Sequence, residues 1–110
     1  MGRSEGPNPK TTVVIPVQFR PAASRDVMEA VDWYEARLPG LGVRFFEDLD
    51  RVLSRIEASR GQFPNVYRNA HRALLRKFPY AVFFKNYEDR TLVVAVADLR
   101  RESGRWQRRI

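Results

Sequence analysis

Apolar residues recur along this chain with two different periods. From Val27 the spacing is helical: Val27, Ala30, Val31, Tyr34 and Leu38 fall at i, i+3, i+4, i+7 and i+11, one stripe of an amphipathic helix. Pro21 suits its first turn, with Ser24 and Asp26 near the positive end of the helix dipole. Pro39-Gly40-Leu41-Gly42 stops it. A second helix follows, with Phe45, Phe46, Leu49, Val52, Leu53 and Ile56 on one face and Glu47, Asp48, Asp50, Arg51 and Arg55 mostly on the other. So short a connection predicts an antiparallel hairpin over about residues 22–59.

Elsewhere the pattern is that of strands. Val13-Val14-Ile15 and Val17-Gln18-Phe19 form a β-branched run broken by Pro16, which predicts a lone N-terminal strand at an edge or with a bulge. Residues 61–66, with Pro64 inside, read as a loop. Arg72–Phe78, Tyr80–Tyr87 and Thr91–Leu99 read as a three-stranded antiparallel meander, its second hairpin closed at Glu88-Asp89-Arg90. Leu92 to Ala97 is apolar at every position, so that strand should be central and buried on both faces. The predicted class is α+β: an N-terminal strand and a helical hairpin packed on one face of an antiparallel sheet.

With 110 residues the chain makes one domain, expected over 13–110 after a Gly-, Pro- and Ser-containing flexible lead-in at 1–12, and ending in a basic tail. The first ten residues lack an apolar signal core, so no secretory peptide is expected there. No apolar run approaches the ~20 residues of a membrane span. Zero Cys excludes disulfides and thiol chemistry and fits a reducing cytoplasm.

Charge changes the picture more than size does. The formal charge is +7, and it is unevenly placed. Residues 60–110 hold 12 Lys and Arg against 4 acids, whereas residues 21–59 hold 5 against 8. A net +8 on the C-terminal half calls for an anionic partner, either nucleic acid or an acidic protein. Arg100, Arg101, Arg105, Arg108 and Arg109 follow the last strand, with Trp106 among them; a disordered basic tail is the bland alternative for the final three residues, and Trp106 argues that the segment before them is docked on the sheet or awaits a partner. His71 is the only histidine, which leaves almost nothing for a metal site or a His-based triad, and it reads as a structural or solvated residue; no cofactor is expected. Asp32, Glu35 and Glu47 to Asp50 lie opposite the apolar stripes and read as a solvated helix face. Trp33 lies off its stripe, as a packing edge or as part of a partner-binding groove.

The ordered set Trp33-Tyr34-Glu35, Pro39 to Gly42, Phe45, Phe78-Pro79-Tyr80 and Arg100-Arg101 with Trp106 resembles the RelE/ParE superfamily of bacterial toxins over residues 13–106. The resemblance implies a type II toxin neutralised by a cognate antitoxin, with Trp33, Arg72, Arg76, Lys77 and Tyr80 as antitoxin contacts. It also implies one of two mechanisms. RelE-like members cut messenger RNA on the ribosome, and on that pattern Arg72, Arg76 and Arg100 are the matching cations. Leu74 stands where a second lysine belongs, Ala81 where a third-strand arginine belongs, Trp106 where a tyrosine belongs, and Asp98 where many relatives have histidine. An indole N–H serves as neither acid nor base there. The half-missing constellation favours the ParE-like branch, which binds DNA gyrase without chemistry; Arg100, Arg101, Arg105 and Trp106 are then the expected target surface.

Overall fold

The structure, a computed structural model, describes residues 15–101 and 105–110. The expected lead-in at 1–12 and the Val13-Val14 half of the first strand lie outside the described residues. The elements run β1 (Val17–Phe19), α1 (Pro21–Arg37), α2 (Leu41–Ser59), β2 (Asn65–Tyr67), β3 (Ala70–Leu74), β4 (Tyr80–Asn86) and β5 (Thr91–Asp98). Short 3-10 helices cover Arg60–Gln62 and Arg105–Arg109. The class is α+β, as the periodicity predicts: two helices lie over one face of a sheet ordered β1-β5-β4-β3-β2.

The hairpin closes tightly for identifiable reasons. Gly40 takes a left-handed φ of 89°, a conformation glycine adopts without a Cβ penalty. The Glu35 carboxylate accepts hydrogen bonds from the amides of Gly40 and Gly42, which the first turn of α2 cannot satisfy internally. A Cβ on Gly42 would stand 2.9 Å from the Val31 carbonyl oxygen, so α1 and α2 touch backbone to backbone there. Glu35 is therefore a turn clasp rather than a merely solvated acid. Leu38 leaves the stripe, 56% exposed, because α1 ends before it in an extended residue. Phe46 is 54% exposed, just outside the buried arc of Phe45, Leu49, Val52 and Ile56.

Three strand expectations need correction. β1 is not alone: it pairs in parallel with β5, Val17 opposite Thr91 and Phe19 opposite Val93, so the sheet is mixed. The predicted loop at 61–66 ends in a further strand, β2, antiparallel to β3. β3 stops at Leu74 instead of reaching Phe78, because the amides of Arg76 and Lys77 turn away from the ladder to the Asp48 carboxylate at 3.3 and 2.7 Å. Asp48 was placed on a solvated face by pattern; it is fully buried, and those two hydrogen bonds are what let a carboxylate sit there.

β5 has apolar neighbours on both sides, as its composition demands. Val93 and Val96 face the helices with Val82 and Phe84. Val94 and Ala95 both face away, with Ala81 and Phe83, because the register slips between Phe83 and Phe84 and two β5 residues oppose Phe83. The second face is covered by the C-terminal segment, so the final residues are not a loose tail. Trp106 stacks on Phe83 at 3.8 Å between ring centroids and meets Tyr67 edge-on at 5.8 Å. Ile110 packs against the same cluster.

A cationic cluster at one end of the sheet

Register builds this site. Tyr80 opens β4 opposite Asp98, the last residue of β5, and the Leu99 amide donates to the Pro79 carbonyl at 2.8 Å. The chain therefore leaves the sheet beside α1, where Trp33 and Tyr34 stand. Tyr34 is the centre of the aromatic packing beneath: Phe45 stacks on it at 5.6 Å, and Phe78 meets it edge-on at 4.8 Å.

Asp98 holds the exit. Its Oδ1 accepts from the Arg100 amide and from Arg100 Nε at 3.0 and 3.1 Å. Its Oδ2 accepts from Arg100 Nη2 at 3.0 Å and lies 3.3 Å from Arg101 Nε. Arg100 Nη2 also donates to the Tyr34 hydroxyl at 3.2 Å. The carboxylate is 8% exposed, and the two arginines 49% and 71%. Burial by itself would raise its pKa; the hydrogen bonds and charge of Arg100, with Arg101, outweigh this and hold Asp98 below the ordinary carboxylate range. Tyr80 is buried beneath, its phenol pushed up to about 12, first by burial and then by the Asp98 charge.

Trp33 forms the outer wall, 40% exposed. The Arg37 guanidinium lies 3.9 Å from its ring centroid and that of Arg100 5.6 Å, so the indole is flanked by cations rather than packed in the core. Past it runs a groove of about 320 Å³ between α1, the outer edge of β5 and the C-terminal 3-10 helix. β1 flanks β5 only as far as Val93, so among the described residues no strand pairs with residues 94–98 on that side. Side chains take over: the Val96 amide donates to Asp26 Oδ2 at 2.9 Å, and the Val94 carbonyl accepts from Arg109 Nη1 at 3.2 Å. Arg109 and Asp26 are themselves ion-paired at 2.6 Å, which ties the C-terminal helix to α1.

The predicted site residues thus divide. Arg100 and Arg101 stand together with Trp33, above the buried Tyr80. Arg105 and Trp106 line the opposite wall of the groove, Trp106 with one ring face already occupied by Phe83. Arg72 lies opposite Phe83 in the β3–β4 register, on the face of the sheet away from the helices. Arg76 and Lys77 are exposed in the turn between β3 and β4. The RNA-cleaving trio Arg72, Arg76 and Arg100 is therefore split, with Arg72 on one face of the sheet and Arg100 on the other. His71 stacks on Phe84 at 5.6 Å with Nδ1 3.0 Å from the Phe63 carbonyl oxygen, a structural role. Asp98 and Asp26 escaped the sequence reading as organising residues. For Asp98 a signal was present, since an acid two and three residues before a pair of arginines can close a local ion pair.

A short strand paired in parallel with the last one, a helical hairpin and an antiparallel meander make up the fold. A chain of the solved chromosomal ParDE TA (toxin–antitoxin) system from P. aeruginosa has this fold: the TM-score is 0.70 at 12% identity, over 78% of this chain and 97% of that one. No protein-family model matches this chain, and no curated protein is significantly similar to it in sequence. Among the described residues no helix is long and apolar enough to cross a membrane, and no three His, Cys, Asp or Glu side chains gather as a metal site.

Proposed function

We propose that this chain is the toxin of a type II toxin–antitoxin pair and acts as a ParE-like inhibitor of DNA gyrase, by binding alone, until a cognate antitoxin covers it in the cytoplasm. The fold it shares with the ParDE-system chain supports the toxin reading. The state of Arg100 carries the mechanism. In-line RNA cleavage needs a base for the 2′-hydroxyl, an acid for the leaving oxygen and cations free to hold phosphate. Around Arg100 stand Asp98, kept ionised by two arginines, and Tyr80, kept protonated with a pKa of about 12. Neither is tuned to exchange protons near neutrality, and Trp106 is stacked on Phe83. What this surface offers instead is arginine and aromatic area, the residue types that dominate protein interfaces. Arg100, Arg101, Arg105 and Trp106 are the proposed gyrase contacts. Trp33, Arg72, Arg76, Lys77 and Tyr80 are the proposed antitoxin contacts, Tyr80 acting from beneath through the residues it supports.

Purified protein is tested side by side in gyrase supercoiling and in translation of a reporter message. Inhibited supercoiling with an intact message is expected, and Arg101→Ala should weaken inhibition. Ribosome-dependent cuts with supercoiling untouched would replace this reading by the messenger-RNA endoribonuclease one.

A further inference from the structure

The C-terminal half carries a net +8, yet its two most prominent arginines are not presented as free charges. Asp98 engages the Nε and Nη2 of Arg100 together, the same planar edge a phosphate would use. The remaining demand on that edge is met by the Tyr34 hydroxyl. Arg101 Nε is turned to the second oxygen of the same carboxylate. Asp98 is itself nearly buried, so it does not swing into solvent to release its partners, and its backbone is locked by pairing with Tyr80. One carboxylate therefore occupies the Nε–Nη2 edge of Arg100 and holds the Nε of Arg101.

We infer that Asp98 is a selectivity residue, an internal counterion that denies Arg100 and Arg101 to phosphodiester strands and leaves this end of the sheet to read protein. A nucleic-acid strand entering here must displace a preformed, partly desolvated pair, whereas a protein partner can pack on Trp33 and the flanks of both arginines without breaking it. The inference rests on this end of the sheet being the target-binding surface, as proposed above.

Asp98→Asn is the informative substitution. Its Oδ1 still accepts the Arg100 amide, so the chain exit is preserved. Its Nδ2 is a donor facing Arg100 Nη2 and Arg101 Nε, and the neutral amide balances neither charge, so both ion pairs are lost. The readout is binding of a short fluorescein-labelled single-stranded RNA, followed by anisotropy over a salt series. Asp98→Asn is expected to bind about tenfold more tightly than the parent at low salt. Its logarithmic salt slope should steepen by about 1.4, two freed charges at about 0.7 each for a single strand. Asp89→Asn is the charge-matched control, because Asp89 is 76% exposed and, among the described residues, pairs with its neighbour Arg90 at 3.2 Å. It changes net charge equally and should leave the slope nearly unmoved.

Equal effects of Asp98→Asn and Asp89→Asn would overturn the inference, as would a gain that persists when Arg100→Gln and Arg101→Gln are added. No gain in a variant that melts like the parent would do the same. Should Asp98→Asn fail to fold, the native background decides: Arg100→Gln with Arg101→Gln should cost no more RNA affinity than Arg44→Gln with Arg55→Gln at exposed helix positions, and a larger cost refutes the counterion. Supercoiling inhibition by the same proteins reads the gyrase proposal separately, so either idea can fail without the other.

Discussion

Tyr80 shows how one buried group reports on its neighbours. Burial first, and the Asp98 charge second, push its phenol up to about 12, with Arg100 and Arg101 pulling the other way. The favoured form is the protonated one, and the folded pKa lies above the unfolded value of 10.0. Its contribution to stability is therefore complete below pH 10 and is lost as pH climbs from 10 to about 12. A phenolate titration should show a late ionisation step that vanishes in Tyr80→Phe. That variant should also lose less stability across the same alkaline window, measured by chemical denaturation at each pH. A late step that survives the substitution would mean that the phenol is not held by burial beneath Asp98.

Among elements, the C-terminal 3-10 helix does most that its length would not suggest. The helical hairpin covers one face of the sheet only, and Phe83, Val94 and Ala95 on the other face have Trp106 and Ile110 as their cover. Trp106→Ala should expose that face, bind the dye ANS, and cost about 2 kcal/mol in denaturant unfolding, since a half-buried Trp loses its stack and its area together. Native stability with no dye binding would show that the segment rests on the sheet without holding it. Such elements explain what was legible. The stripe Phe45, Leu49, Val52 and Ile56 and the unbroken apolar run of β5 follow from period alone, and both are where pattern places them. β2 is a three-residue strand with exposed positions, too short and too polar to leave a period. The C-terminal helix owes its place to contacts distant in sequence, chief among them the Trp106 stack on Phe83 and the ion pair between Arg109 and Asp26, residues 83 positions apart, which no local pattern encodes. The site was half legible for the same reason. The arginines are contiguous in sequence, but their engagement by Asp98 and Tyr34 depends on where α1 lies against the end of β5.

For the whole molecule, charge and exposed apolar surface make separate demands on the proposed antitoxin. The C-terminal half is strongly cationic, while the helices show Met28, Trp33, Val43 and Phe46 at 65, 40, 60 and 54% exposure. Long-range attraction acts on the approach of an acidic partner, and it is screened within about 10 Å at 0.1 M salt and about 3 Å at 1 M. Apolar contacts act after docking and are not weakened by salt. The association rate of the proposed antitoxin should therefore fall by about tenfold or more between low and high salt, while its dissociation rate changes by less than about threefold. Surface plasmon resonance over a salt series separates the two rates directly. A dissociation rate that climbs in step with salt would mean that the complex is held by its ion pairs, and would remove the helical apolar residues from the proposed interface. Phe46→Ser supplies the converse: faster dissociation at every salt concentration with association unchanged, because Phe46 lies outside the core and carries no charge to steer the encounter.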